Sequence, residues 1–343
     1  MLEPYAPGRV PLSILDLVPV SEGGDRATAM RETTALARRV DELGYARLWI
    51  AEHHNTEAFM ASATSLLLGH LAEHTSRIRL GSGGVMLPNH APLMVAEYYG
   101  TLATLYGDRF DLGLGRAPGT DPLTASALRR GTGELDTFAR DVADLHAYLD
   151  DPPAAGRRRV RALPGEGTKV PLWMLGSSLG GASVAALLGL PFVFASHFAP
   201  QAFGQAVAHY REHFRADAPT AQVDRPYVSA GVNVLVAPTT EEAELLATTG
   251  QQLAYRIHTG GIGPLDPPQA GFLDSIPDRL AEAIRGAQAV RAVGTPDQVV
   301  AQLEAIVAEH QLDEVITTTY TWDPAMRRRS YELLAQAWGL PQA

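Results

Sequence analysis

Cysteine is absent from the 343-residue chain, which removes disulfides, thiolate metal sites and a thiol nucleophile together and fits a reducing compartment. Lysine is nearly absent too, since Lys169 is the only one. Basic residues as a class are outnumbered, 28 against 38 acidic ones, for a formal charge of -10. They are scattered rather than gathered into a stripe that neutralises phosphates, so nucleic acid is not an expected partner. The tightest clusters, Arg157-Arg158-Arg159 with Arg161 and Arg327-Arg328-Arg329, read as solvated surface. Long apolar runs are missing as well. The longest, around residues 187–195, is interrupted by Gly189 and Pro191 and is too short to span a bilayer. Residues 1–11 carry prolines and no apolar h-region, so no secretory signal is expected and the protein is read as cytoplasmic.

What is present is core material, with 46% hydrophobic and 19% charged residues, arranged in a strict alternation. Short apolar runs at 12–17, 45–51, 78–82, 110–115, 171–175, 192–196, 227–237 and 314–319 read as eight strands. Between and after them lie stretches of helical spacing, among them 28–43, 61–74, 92–106, 134–149, 200–215, 296–310 and 324–338, and Thr239 or Thr240 caps another. Eight strand-helix units predict an α/β protein whose parallel sheet closes into a (β/α)8 TIM barrel, built as one domain with insertions near 117–133, 151–169 and 251–290. An open dinucleotide-binding sheet fits less well, because Gly113-Leu114-Gly115 has Pro118 where a third glycine is needed. Residues 258–268, dense in glycine and proline, read as a mobile lid.

A barrel gathers the carboxyl ends of its strands on one face and builds its site there. That face receives Asp16, Glu52-His53-His54, Gly83-Gly84, Arg116, the turn from Gly176 to Gly181, Ser196-His197 and the stretch from Thr318 to Trp322. The glycines at 81, 83 and 84 strip a strand end of side chains, as a flat ligand approaching the backbone would require. Gly176-Ser177-Ser178 and Gly181 turn into a helix N-terminus whose free N–H groups, with the two hydroxyls and the Arg116 guanidinium, suit a phosphate; a merely tight strand-helix turn is the alternative. Neighbouring histidines at a strand end point to opposite sides, so one of His53 and His54 faces the mouth and the other is structural. No metal site is expected, since His70 and His74 lack the glutamate of a zinc-binding helix.

Ala51-Glu52-His53-His54, the run from Ile78 to Pro88 (IRLGSGGVMLP), the run from Gly113 to Asp121 (GLGRAPGTD), Leu175-Gly176-Ser177-Ser178 and Val293-Gly294-Thr295-Pro296 occur in that order. Together they resemble the bacterial luciferase-like flavin monooxygenases over about residues 12–340. The resemblance implies binding of reduced FMN, supplied by a separate flavin reductase. It also implies reaction with O2 through a C4a-peroxyflavin to oxygenate a small organic substrate, and a homodimer. It places a non-prolyl cis peptide at Gly83-Gly84 beneath the flavin, the phosphate on Arg116, Ser177, Ser178 and the glycines Gly176 and Gly181, and proton handling on His53. The version with GSGGVMLP and GRAPGTD resembles tailoring oxygenases of actinomycete secondary metabolism, which implies a flat aromatic or polyketide-like substrate. Arg129 or Arg130 is a candidate second phosphate contact. Luciferases carry Cβ-bearing residues at the positions of Gly83 and Gly84 and a cysteine at that of Gly115, so the floor of this site is expected to be wider. An F420-dependent hydride-transfer enzyme and a non-catalytic flavin-binding protein are the alternatives.

Overall fold

Short apolar strands alternating with amphipathic helices can bury both strand faces only if the sheet curls up inside a ring of helices. A computed structural model of the protein, which describes residues 9–117, 120–128, 135–152 and 160–341, has this arrangement. The first half runs β1 (Leu12–Asp16), α1 (Arg26–Glu42), β2 (Arg47–Ile50), α2 (Thr64–Ala72), β3 (Arg79–Met86), α3 (Pro92–Tyr106), β4 (Phe110–Gly115), α4 (Pro122–Ala127) and α5 (Leu135–Leu149). The second runs β5 (Leu172–Gly176), α6 (Leu179–Leu188), β6 (Phe192–Phe194), α7 (Phe203–His213), β7 (Val228–Val236) and α8 (Thr240–Thr259). It closes with α9 (Asp278–Ala287), β8 (Arg291–Gly294), α10 (Pro296–His310), β9 (Glu314–Thr318) and α11 (Pro324–Trp338).

All strand pairings are parallel, and the order β1-β2-β3-β4-β5-β6-β7-β9 returns to β1, giving the expected closed (β/α)8 barrel. The unexpected element is β8. It pairs only with the far half of β7, Arg291 opposite Asn233 through Gly294 opposite Val236, while the near half of β7, from Ser229 to Asn233, carries β9. Its four residues alternate half-buried and buried, too short a pattern to stand out in the sequence.

Strand parity sorts the core. Leu12, Ile14, Leu48 and Ile50 face the helices, whereas Leu15, Trp49, Trp173, Val193 and Ile316 point inward as a separate cluster. Below that cluster lies a charged layer. Arg47 bridges Asp111 at 2.7 Å and Glu314 at 3.0 Å, and Arg79 reaches Asp111 at 2.9 Å. Tyr227 donates to Glu314 at 2.9 Å, and the Arg47 guanidinium lies 4.5 Å from the Trp173 ring centre. Helix ends follow the sequence signals: Thr239 accepts from the Glu242 N–H, Asp25 from that of Thr28, and Thr295 and Gln298 form a reciprocal capping box.

Two surface assignments change. Arg327 is not solvated: it is 4% exposed and bonds Asp16 at 2.9 Å, closing α11 onto the end of β1. The segment read as a lid begins inside α8 and is tied down from Leu265, which exchanges main-chain hydrogen bonds with Val20 and Glu22. Arg157-Arg158-Arg159 and Arg129-Arg130 lie outside the described residues. Among the described residues no helix is long and apolar enough to cross a membrane.

Candidate active site

The carboxyl end of β3 is the floor of the barrel mouth. Its pairing with β4 slips between Ser82 and Val85, and within that slip the Gly83-Gly84 peptide is cis, as the resemblance implies. The expectation that glycine here widens the floor is not met, because neighbouring protein fills the space. A Cβ on Gly83 would lie 2.5 Å from Leu15 Cδ1, and one on Gly84 2.8 Å from the Gly113 carbonyl oxygen. One on Gly115 would lie 3.1 Å from the Met86 sulfur. The glycines are demanded first by close approach within the barrel wall.

From β2 the chain delivers Glu52, His53 and His54 with alternating orientation. Inward parity runs Trp49, Ala51, His53, and the His53 ring packs 5.4 Å from Phe59 of the inner cluster. His54 takes the other side, as expected for the second histidine, and donates from Nε2 to Glu52 Oε1 at 2.9 Å. His90 Nε2 donates to the same oxygen at 2.9 Å, and the Met86 N–H donates to Oε2 at 3.0 Å. Burial pushes the Glu52 carboxyl up, but the hydrogen bonds and charge of His90, then His54 and Met86, outweigh it and hold the group below its usual range. Glu52 and His90 were not recognised as partners in the sequence, where they lie 38 residues apart. The outer side is completed by the loop after β4. Thr120 donates to the His54 carbonyl at 3.2 Å, and Asn55 donates to Asp121, the N-cap of α4, at 3.2 Å. A cleft of about 630 Å³ opens between His54, Asn55 and the α4 residues Leu123, Thr124, Ser126 and Ala127.

Across the mouth, β4 and β5 run in register from Leu112 opposite Leu172 to Leu114 opposite Met174, which carries Arg116 to the level of Gly176. There α6 begins. Ser178 is its N-cap, yet its hydroxyl accepts no helix N–H, so the first-turn donors lack a side-chain cap. Gly176 and Gly181 are where strand and helix touch, since a Cβ on either would sit 3.1 Å from the other's Cα. The tight turn and the open helix end therefore coexist. First-turn N–H groups without a side-chain cap and two serine hydroxyls, with Arg116 at the same level on the neighbouring strand, are groups of the kind that can hold a phosphate. Among the described residues no three His, Asp or Glu groups are placed to share a metal ion.

The barrel, the carboxyl-end histidines and the open α6 turn together define a luciferase-type α/β barrel. A model of the luciferase-like monooxygenase family matches residues 10–313, and the chain belongs to that family. It is 43% identical to a luciferase-like monooxygenase of Escherichia coli K12 over 327 residues, 94% of this chain and 96% of the relative. The crystal structure of apo-MsnO8 matches it with a TM-score of 0.88 at 35% identity, covering 98% of this chain and 100% of that one. The FMN complex of the oxygenating constituent of a Pseudomonas putida diketocamphane monooxygenase has a TM-score of 0.71 at 16% identity, covering 98% and 100%. An F420-dependent secondary alcohol dehydrogenase has 0.69 at 13%, covering 96% and 99%. These last two share the fold alone. Membership of the family supports an oxidoreductase.

Proposed function

We propose that the protein is a monooxygenase that binds reduced FMN from a separate flavin reductase and uses O2 to oxygenate a small, flat, apolar substrate. The observation that supports this reading is the N-terminus of α6 without a side-chain cap, at the level of Arg116 on the neighbouring strand and at the rim of a barrel mouth, an arrangement suited to a phosphate. Arg116, Ser177, Ser178 and the α6 N–H groups hold the phosphate, and the β3 end with Gly83 and Gly84 supports the ring. When bound, reduced flavin supplies the electrons that activate O2, one oxygen atom passing to the substrate and the other leaving as water. His53, facing the mouth, moves protons to and from the reacting oxygen. Phe59 and Tyr320, with ring centres 6.5 Å apart, extend an aromatic wall from His53 that supports a flat substrate.

The test is titration of the pure protein with FMNH2 and with reduced F420, with oxygen uptake followed. Arg116→Ala should weaken FMN about ten- to a hundredfold, the loss of a charge-assisted contact. His53→Ala should keep FMN affinity and slow turnover about a hundredfold. Tight F420 binding without oxygen consumption would instead favour an F420-dependent hydride-transfer enzyme.

A further inference from the structure

His197, just beyond β6, is a half-buried polar residue, its Nδ1 sealed from solvent, that the reading above leaves unused. Three contacts clip it to β7. Ser196 Oγ donates to the Gly231 carbonyl at 2.6 Å, Asn233 Nδ2 donates to the His197 carbonyl at 2.7 Å, and the imidazole lies over the Gly231 backbone. Gly231 belongs to the inward parity of β7, so the ring occupies the volume that a side chain there would fill. A Cβ on Gly231 would lie 2.1 Å from Nδ1, 2.8 Å from Cε1 and 3.2 Å from Cγ. Those three atoms are the edge pressed on the strand; Nε2 and Cδ2 lie on the side away from it.

Nδ1 is fully buried and has no hydrogen-bond partner among the described residues. An N–H sealed against a Cα is a costly orphan, whereas an unpaired acceptor lone pair is tolerated more easily. The tautomer that avoids the penalty puts the proton on Nε2. Burial pushes the imidazole down to about 4, and the nearby His53 charge presses the same way, so the ring is neutral at physiological pH. His197 therefore presents a single neutral donor, held rigidly, on the side of the ring away from β7. Among the described residues no hydrogen bond from Nε2 is formed.

We propose that His197 is a cofactor-contacting residue whose Nε2–H donates to an acceptor atom on the rim of a flavin ring held in the barrel mouth. This rests on the flavin reading above. Gly231 is the position that admits the imidazole, and the Ser196 and Asn233 contacts fix its angle.

Protein labelled at its histidine nitrogens is titrated anaerobically with reduced FMN, and the dissociation constant and imidazole nitrogen resonances are read for the wild type, His197→Phe, His197→Gln and Arg116→Ala. The expected result is the Nε2–H tautomer at His197 in free protein and a shift of its Nε2 resonance on binding. His197→Phe should bind FMN about three- to tenfold more weakly, the size of one neutral hydrogen bond. His197→Gln, which keeps an N–H donor, should recover most of that loss. FMN binding that depends on Arg116 while the His197 resonance stays fixed and His197→Gln equals His197→Phe overturns the inference and leaves the flavin reading standing. Failure of the wild type to bind FMN removes both. Should His197→Phe not fold, the wild-type resonance and the glutamine variant decide.

Discussion

Glu52 is buried and His197 half-buried at the rim of the same mouth, and loss of solvent disfavours the charged form of each, with different outcomes. The carboxylate stays ionised because several N–H groups converge on it, whereas the imidazole, with nothing to compensate a charge, is held neutral. The second case has a consequence for stability. With a folded pKa of about 4 against 6.5 unfolded, the unfolded chain binds the extra proton in this window, so stability is full above pH 6.5 and is lost as pH falls toward 4. The contribution is about 3 kcal/mol. Urea unfolding from pH 4 to 7 should show this slope in the wild type and a flatter one in His197→Gln; parallel slopes would rule the assignment out. Part of this was legible in the residues. Strand parity put His53 and His54 on opposite sides and the resemblance chose His53, but apart from His54 the Glu52 contacts come from residues 34 to 38 positions away, and the fit of His197 into Gly231 is a meeting of two strands. No local pattern encodes either.

At the scale of the element, the glycines divide by cause. Gly113 sits where β4 meets the slipped end of β3, and a Cβ there would lie 2.1 Å from the Ser82 carbonyl oxygen. Gly260, the C-cap of α8, has open space around it but a left-handed φ of +84°. Gly113→Ala should therefore destabilise by about 3 kcal/mol, the upper range for forcing atoms into a packed site. Gly260→Ala should cost about 1 kcal/mol, the penalty of a left-handed conformation alone. Chemical denaturation separates the two, and equal losses would contradict the distinction. The same local logic explains which elements could be read in advance. α3 and β4 have the expected bounds because Pro92, Gly107 and a continuous apolar run punctuate them. β8 escaped because its pairing with half of β7 leaves only Ala292 and Gly294 buried. Arg327 was misjudged because three consecutive arginines look like surface, while only the first is turned by the helix toward Asp16.

Across the whole molecule, the barrel is charged inside near the amino ends of its strands and apolar above. Burial works against the Arg47 charge, but Glu314 and Asp111 outweigh it. Removing one partner leaves the others uncompensated, so Asp111→Ala should cost roughly 3 to 5 kcal/mol. Asp217→Ala, which breaks an exposed pair with Arg215, should leave thermal unfolding unchanged. Closure of the barrel carries a temporal consequence as well. β1 pairs with β9, and the Thr317 hydroxyl donates to the Ser13 carbonyl across 304 positions of chain. During synthesis every other wall strand leaves the ribosome before β9, and until then β1 and the near half of β7, from Ser229 to Asn233, each present a bare parallel edge. Loop-closure entropy over that distance must be met before the last pairing stabilises anything. The nascent chain thus waits as an incomplete, adhesive sheet, and shielding those two edges is the task its folding sets for the cell.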